Sequence, residues 1–208
     1  MRRRLMTTAT TLLLAATACE SDPSQDQPEA ADTATEQSAA PIEPVEVPTE
    51  LVDPEGSVIG TAWFRDARNG TEVEVQVAGL PEGFHGMHLH EVGTCDTGQA
   101  PPTGDAAQTE AFASAGEHIG SDQTAHGDHA GDLPALRVIE GGVGSLTALV
   151  GPMSLEDLLD RDGTTLIIHE AADNLANIPP RYAPEGPDGE TLTSGDSGSR
   201  VACGAIGG

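Results

Sequence analysis

The sequence predicts an all-β fold, an antiparallel sandwich or barrel. Three observations carry that expectation. The 208 residues hold 25 Gly and 15 Pro but only three Phe, one Trp and one Tyr, a composition that suits turn-rich strands better than a helix bundle. Short apolar runs recur between Gly, Pro and Asp clusters, the spacing of a many-stranded sheet. Ser57–Phe64 is followed by Arg68-Asn69-Gly70 and then by Thr71–Val77, where Val73, Val75 and Val77 alternate with Glu72, Glu74 and Gln76; this predicts a hairpin turning at Asn69-Gly70 with one buried face.

Further strands are predicted at His85–Glu91, Ala135–Ile139, Gly144–Val150 and Thr164–His169, with one helical turn at Ser154–Leu159. Two long segments, Gly93–Leu133 and Glu170–Arg200, lack periodicity. Loops of that length in a compact domain are usually functional or disordered.

Ahead of the domain, Arg2, Arg3 and Arg4 precede an apolar run from Leu5 to Ala18, the order of an export signal and too short to span a bilayer. Residues 1–18 are therefore read as a signal peptide of lipoprotein type. Ala16-Thr17-Ala18-Cys19 resembles a lipoprotein box, with Cys19 as the lipidated residue. Residues 19–48 are mostly Ser, Asp, Gln, Pro, Glu, Ala and Thr, too polar to offset ordering entropy, and are read as a disordered acidic linker; residues 49–208 form the domain. The implied location is extracytoplasmic, anchored to the cell membrane by lipid or, alternatively, secreted or periplasmic. With Cys19 set aside, Cys95 and Cys203 are the remaining cysteines and are expected to pair, since disulfides persist in that compartment.

The formal net charge is −25, from 34 acids against nine Arg and no Lys. Nucleic-acid binding, or membrane binding through a basic surface, is excluded on that ground; contact with a membrane is left to the lipid anchor alone.

All seven His lie between residues 85 and 169. In His88-Leu89-His90 the period of a strand puts both imidazoles on one face, within reach of one metal. His118, His126, His129 and Asp132 offer three imidazoles and a carboxylate, a donor set that suits zinc. His169 ends a strand and could complete an all-imidazole site with His88 and His90, which suits a redox-cycling copper.

At these residues the chain resembles the copper, zinc superoxide dismutases, particularly the bacterial exported forms. Gly83-Phe84-His85-Gly86-Met87-His88-Leu89-His90-Glu91 with Gly93 is similar to that family's copper-ligand strand, and Gly195–Ile206 to its C-terminal signature. Between them, Ser114–His118, His129–Pro134 and His169 with Asp173 fall in matching order. The resemblance covers about residues 50–208 and implies an eight-stranded Greek-key barrel or sandwich, immunoglobulin-like, with two long functional loops. It implies copper on His88, His90, His118 and His169, and zinc on His118, His126, His129 and Asp132, with His118 as the bridge. Arg200 would draw superoxide to the copper, Asp173 would link His88 to His126, and Cys95–Cys203 would be the family disulfide. His85 resembles a structural His rather than a ligand. One copper and one zinc per subunit follow, with superoxide as substrate and a homodimer as an open option. The sequence departs from the family in having only Gly127-Asp128 between His126 and His129, and Glu117 before His118. A copper-storage protein would not need Arg200, and a purely structural β domain would not need the histidine cluster.

Overall fold

The structure, a computed structural model, describes residues 45–97, 110–160 and 162–207. The expected signal peptide, Cys19 and all but the last few residues of the expected linker lie outside them. Eight strands are present: β1 (Glu46–Val52), β2 (Val58–Ala67), β3 (Gly70–Ala78), β4 (Gly83–His90), β5 (Asp132–Ile139), β6 (Val143–Val150), β7 (Thr164–His169) and β8 (Arg200–Ile206). They close into a barrel in the order β1-β2-β3-β6-β5-β4-β7-β8, with every pairing antiparallel. The connections β3 to β4 and β6 to β7 each skip over neighbouring strands, which is the Greek-key arrangement.

The hairpin read from the sequence is present with a shifted turn. Ala67 pairs with Gly70, so Arg68 and Asn69 are the two turn residues and Gly70 starts β3. The strand β1 begins at Glu46, inside the stretch expected to be linker. Its Val-Pro-Thr-Glu-Leu-Val sequence is acidic and carries a proline, but it lies on β2 over its whole length while meeting β8 at a single residue pair, Val52 with Cys203. Pro48 thus sits on a strand paired mainly on one side, where a missing N–H is tolerated.

The alternation in β3 holds: Val73 and Val75 are fully buried and Val77 nearly so, packed with Leu51, Phe64, Met87, Leu89, Leu136, Leu166 and Ile168 in the barrel core. Because Met87 and Leu89 of β4 and Leu166 and Ile168 of β7 point inward, His88, His90, Ile167 and His169 point to the outer wall. That wall is buried too. The long loops between β4 and β5 and between β7 and β8 cover it. Among its described residues the first carries one 3-10 turn, η1 (Ala113–Ala115). The second carries a short helix that the sequence did not show, α2 (Gly189–Ser194), capped by Asp188, whose side chain accepts from Thr191 N. The expected helical turn is α1 (Leu155–Leu158), with Ser154 as N-cap in a reciprocal capping box with Asp157.

Cys95 and Cys203 are joined by a disulfide across 108 residues of chain. Cys203 is fully buried with Phe112, Ala115 and Ile167, and Cys95 packs against that cluster, so the bond ties the first loop to β8. Cross-linking so long a loop restricts the unfolded chain strongly, with an upper estimate of about 4.7 kcal/mol. Cys95→Ser at equal metal content is expected to lower the unfolding free energy in urea by roughly 2–4 kcal/mol, and a change below about 0.5 kcal/mol would show that the loop is held without the bond.

Candidate metal centre

Six of the seven histidines meet on the outer wall of β4 and β7, all buried. His88 and His90 come from β4 and His169 from the end of β7. His118 lies in the first loop, which is drawn against β4 by an isolated bridge between His90 and His118 and by Ile119 N donating to Leu89 O at 3.0 Å. His126 and His129 lie further along that loop. Ring centroids are 4.0 Å apart for His88 and His118, 4.7 Å for His90 and His118 and 4.7 Å for His88 and His169. On the other side of His118, His126 is at 5.3 Å and His129 at 5.5 Å.

Ligand atoms of His88, His90, His118 and His169 all lie within 4.8 Å of one another, as do those of His88, His118, His126 and Asp132. His118 and His88 are common to both groups. His129 stands beside the second, with Nδ1 3.4 Å from Asp132 Oδ1. His88 enters the second group only by proximity, because its Nε2 already donates to Asp173 Oδ2 at 2.8 Å.

The hydrogen bonds decide which nitrogens are free. His90 Nδ1 donates to Gly116 O at 2.9 Å, His169 Nδ1 to Gly198 O at 2.9 Å, and His129 Nε2 to Thr124 O at 3.1 Å. His126 Nε2 donates to Asp173 Oδ1 at 2.8 Å. A carbonyl or carboxylate can only accept, so each of these nitrogens carries the proton and its partner nitrogen carries a lone pair. Those partner nitrogens, Nδ1 of His88, His126 and His129 and Nε2 of His90 and His169, are buried with no hydrogen-bond partner among the described residues. Five orphaned lone pairs in a buried cluster would be a heavy cost in a protein without cations, and they are the donors that copper and zinc accept. The residues fit the two metals. His85 differs: its Nδ1 lies 2.7 Å from His169 O and its Nε2 2.9 Å from Pro81 O, so neither nitrogen faces the cluster.

Asp132 and Asp173 hold the acidic side of the centre. Asp132 Oδ1 is 3.1 Å from His118 Nδ1, and its Oδ2 accepts from Gly127 N at 2.7 Å. Burial works against both carboxylates, yet the facing histidines and backbone N–H groups hold both below the ordinary carboxylate range. Two glycines that the sequence placed within motifs but gave no role shape this side. Gly195, at φ +61, sits where a Cβ would lie 1.9 Å from Asp173 Oδ1 and 2.5 Å from His126 Nε2. Gly127, at φ +90, would place a Cβ 2.5 Å from Leu175 O. Both are fixed by close approach and by backbone conformation. Gly195 stands first in the C-terminal motif, which is the only sequence signal that marks it.

Arg200 opens β8 at the edge of this cluster. Its Nη1 donates to Phe112 O at 2.7 Å and its Nη2 to Gly116 O at 2.8 Å. Burial lowers its pKa, with Glu110 and Glu117 opposing the shift, and a guanidinium remains charged throughout. Arg200, His118 and His169 line an open cleft of about 420 Å³ whose other walls include Glu110, Glu117 and Glu190. A larger concavity of about 580 Å³ lies over β2, β3 and β6 between Trp63, Gln76 and Val143. None of its lining residues is titratable, whereas the Arg200 cleft brings a guanidinium beside His118 and His169.

Taken together, a Greek-key barrel with a buried imidazole-and-carboxylate centre under two covering loops defines a β-barrel metalloprotein with two adjacent metal positions. The chain belongs to the copper/zinc superoxide dismutase family: the family described as "Copper/zinc superoxide dismutase (SODC)" matches residues 58–206. It is 39% identical over 177 residues to a "Superoxide dismutase [Cu-Zn]" of Mycolicibacterium paratuberculosis, covering 81% of this chain and 77% of that protein. It is 41% identical over 165 residues to one of Mycobacterium tuberculosis, covering 76% and 68%. Among solved structures, a double mutant of a SOD-like protein from Bacillus subtilis matches with TM-score 0.60 and 30% identity, over 77% of this chain and 97% of that one. The Cu/Zn superoxide dismutase from Brucella abortus shares the fold at TM-score 0.58 and 24% identity, over 78% and 99%.

In the absence of metal the centre makes the fold acid-sensitive. Burial lowers His118 from 6.5 to about 4 and His169 to about 3, and places His90 well below its ordinary value. The unfolded chain therefore binds protons below pH 6.5 that the folded chain refuses, so the stability these rings contribute is complete above that pH and lost as pH falls. His126 runs the other way. Burial would lower it, but Asp173 and Asp132 outweigh burial and raise it, so its contribution is lost as pH rises through the raised value. Three lowered rings outweigh one raised ring. The metal-free protein is expected to lose melting temperature between about pH 7 and about pH 5 in a calorimetric series, and a flat profile over that range would contradict the burial of neutral imidazoles.

Proposed function

We propose that the chain is a superoxide dismutase, converting two superoxide anions and two protons into one dioxygen and one hydrogen peroxide. The observation that carries this reading is the convergence of free lone pairs from His88, His90 and His169 on a point beside His118, with the Arg200 guanidinium at the same cleft. His88, His90, His118 and His169 would hold copper, which would supply one-electron oxidation and reduction, and His118, His126, His129 and Asp132 would hold zinc, which has no redox chemistry to supply. The protein's own part is electrostatic and positional. Two of the guanidinium's five N–H groups are held by the carbonyls of Phe112 and Gly116, and the positive charge so fixed beside the cleft it lines attracts a small anion. His118 belongs to both ligand groups and lines the cleft, so its imidazole is the ring placed to hold a proton for the reduced anion. Asp173 bonds His88 and His126 at once, fixing the tautomers of one ring on each side.

The protein is extracytoplasmic, in keeping with its Cys95–Cys203 disulfide and with bacterial relatives. We further propose lipidation at Cys19, with residues 19–45 as the tether; the charged-then-apolar N-terminus and the Ala16–Cys19 box support it.

The purified domain is expected to bind one copper and one zinc per chain and to consume superoxide in proportion to copper content. Full copper loading without superoxide consumption would leave copper holding as the function instead. Arg200→Ala is expected to keep its copper and lose turnover per copper by about 10- to 100-fold, and unchanged turnover would remove the anion-binding role. Because Glu110, Glu117 and Glu190 line the same cleft on a chain of net charge −25, added salt screens repulsion as well as attraction. The rate is expected to hold or rise between low and physiological ionic strength in stopped-flow measurements, whereas a steep fall would show that Arg200 alone governs approach.

A further inference from the structure

Arg200 is clamped by the two carbonyls that flank one turn of 3-10 helix. Phe112 precedes η1 and Gly116 follows it, and their oxygens accept from Nη1 and Nη2 respectively. The Gly116 oxygen also accepts from His90 Nδ1, so the turn ties the guanidinium to an imidazole of the copper-side group. The aim of the other carbonyl depends on an unusual backbone: Phe112 is left-handed at φ 62, ψ 18, with no side-chain cap on the turn. A bulky aromatic residue disfavours that conformation, which persists only where the surroundings over-determine it.

The surroundings are identifiable. Phe112 is fully buried in a small cluster with Ala115, Ile167 and Cys203, against which Cys95, Val52 and Ala111 pack. This cluster is separate from the barrel core. The Phe112 N–H donates to Asp96 O at 3.0 Å, which fixes the residue from its other side. The ring is thus a wedge between the disulfide and the outer wall of β7, while the carbonyl of the same residue accepts from Arg200 Nη1.

We propose that Phe112 is a positioning residue for anion capture: its buried ring holds the left-handed backbone that aims its carbonyl at Arg200 Nη1, and so sets the guanidinium's position over the cleft. The proposal rests on the dismutase reading and adds to it a residue with no chemistry of its own. It differs from a packing role in one respect. Packing alone makes Phe112 matter for stability whatever stands at position 200, whereas positioning makes its effect on anion binding depend on Arg200.

The test is a double-mutant cycle on the full chain, loaded with copper and zinc, read by spectroscopic titration with azide as the anion probe and by kcat/KM. Phe112→Ala is expected to weaken azide binding and lower kcat/KM by roughly three- to tenfold with copper content unchanged, and Phe112→Leu to restore most of both. On the Arg200→Ala background, Phe112→Ala is expected to add nothing to either loss. Independent, additive effects in the two backgrounds, or unchanged azide affinity in Phe112→Ala, would overturn the proposal. If Phe112→Ala fails to fold, Phe112→Gly, which removes the ring and leaves the left-handed backbone unheld, takes its place in the cycle with the same two outcomes. Failure of the parent protein to consume superoxide, with azide coupling intact, would instead count against the dismutase reading alone.

Discussion

Six imidazoles buried side by side must each find a partner for two nitrogens, and the protein supplies acceptors for only one nitrogen of most of them. Carbonyls of Gly116, Thr124 and Gly198 and the carboxylate of Asp173 take the protonated nitrogens. The remaining lone pairs converge with no hydrogen-bond partner among the described residues. Such an arrangement is costly in an empty fold and favourable around cations, so the loops are organised for metal rather than for maximal stability of the bare chain. The depressed basicity of His90, His118 and His169 has the same origin: burial and neighbouring positive charge disfavour protonation there, which keeps the lone pairs available.

Charge is apportioned on two scales. The chain is strongly acidic as a whole, which opposes the approach of any anion at long range. Within the cleft one guanidinium is held by neutral carbonyls rather than by a carboxylate, so its field is not cancelled by direct pairing. A salt bridge at that position would have fixed Arg200 equally well and spent its charge. Neutral acceptors fix the geometry and leave the electrostatic attraction for the ligand.

Much of the fold and of the histidine cluster was legible in the sequence because it rests on local periodicity. Val73, Val75 and Val77 declare a buried face, His88 and His90 a shared one, and Thr164–His169 a strand with its histidine at the end. The family resemblance supplied the strand count and the grouping of distant histidines that no local pattern could supply. What stayed hidden depends on tertiary contact. The first three residues of β1 read as linker because Pro48 and the acids around it are tolerated only on a strand paired mostly to one neighbour. Nothing in the composition of Glu170–Arg200 announces α2. Phe112 and Gly116 act through main-chain oxygens, which any residue carries, so their identity says nothing until the backbone is seen.

The short spacing between His126 and His129 shows how local and distant constraints combine. Two intervening residues leave little chain to turn both rings toward one point, yet the ring centroids stand 5.3 Å apart. Gly127 makes this possible by its left-handed backbone and its contact with Leu175 O, while Asp132 Oδ2 accepts from both Gly127 N and His129 N and closes the turn from within. Leu175 belongs to the second loop, as does Asp173, whose carboxylate reaches His88 and His126 together. The tight turn of the first loop is therefore shaped against the second, and Gly195 lets the second approach closely enough to do so. Neither loop has its site geometry alone. The centre is a property of their contact, which is why an aperiodic stretch of Gly, Asp and Asn residues far along the chain is as much part of the ligand set's architecture as the histidines themselves.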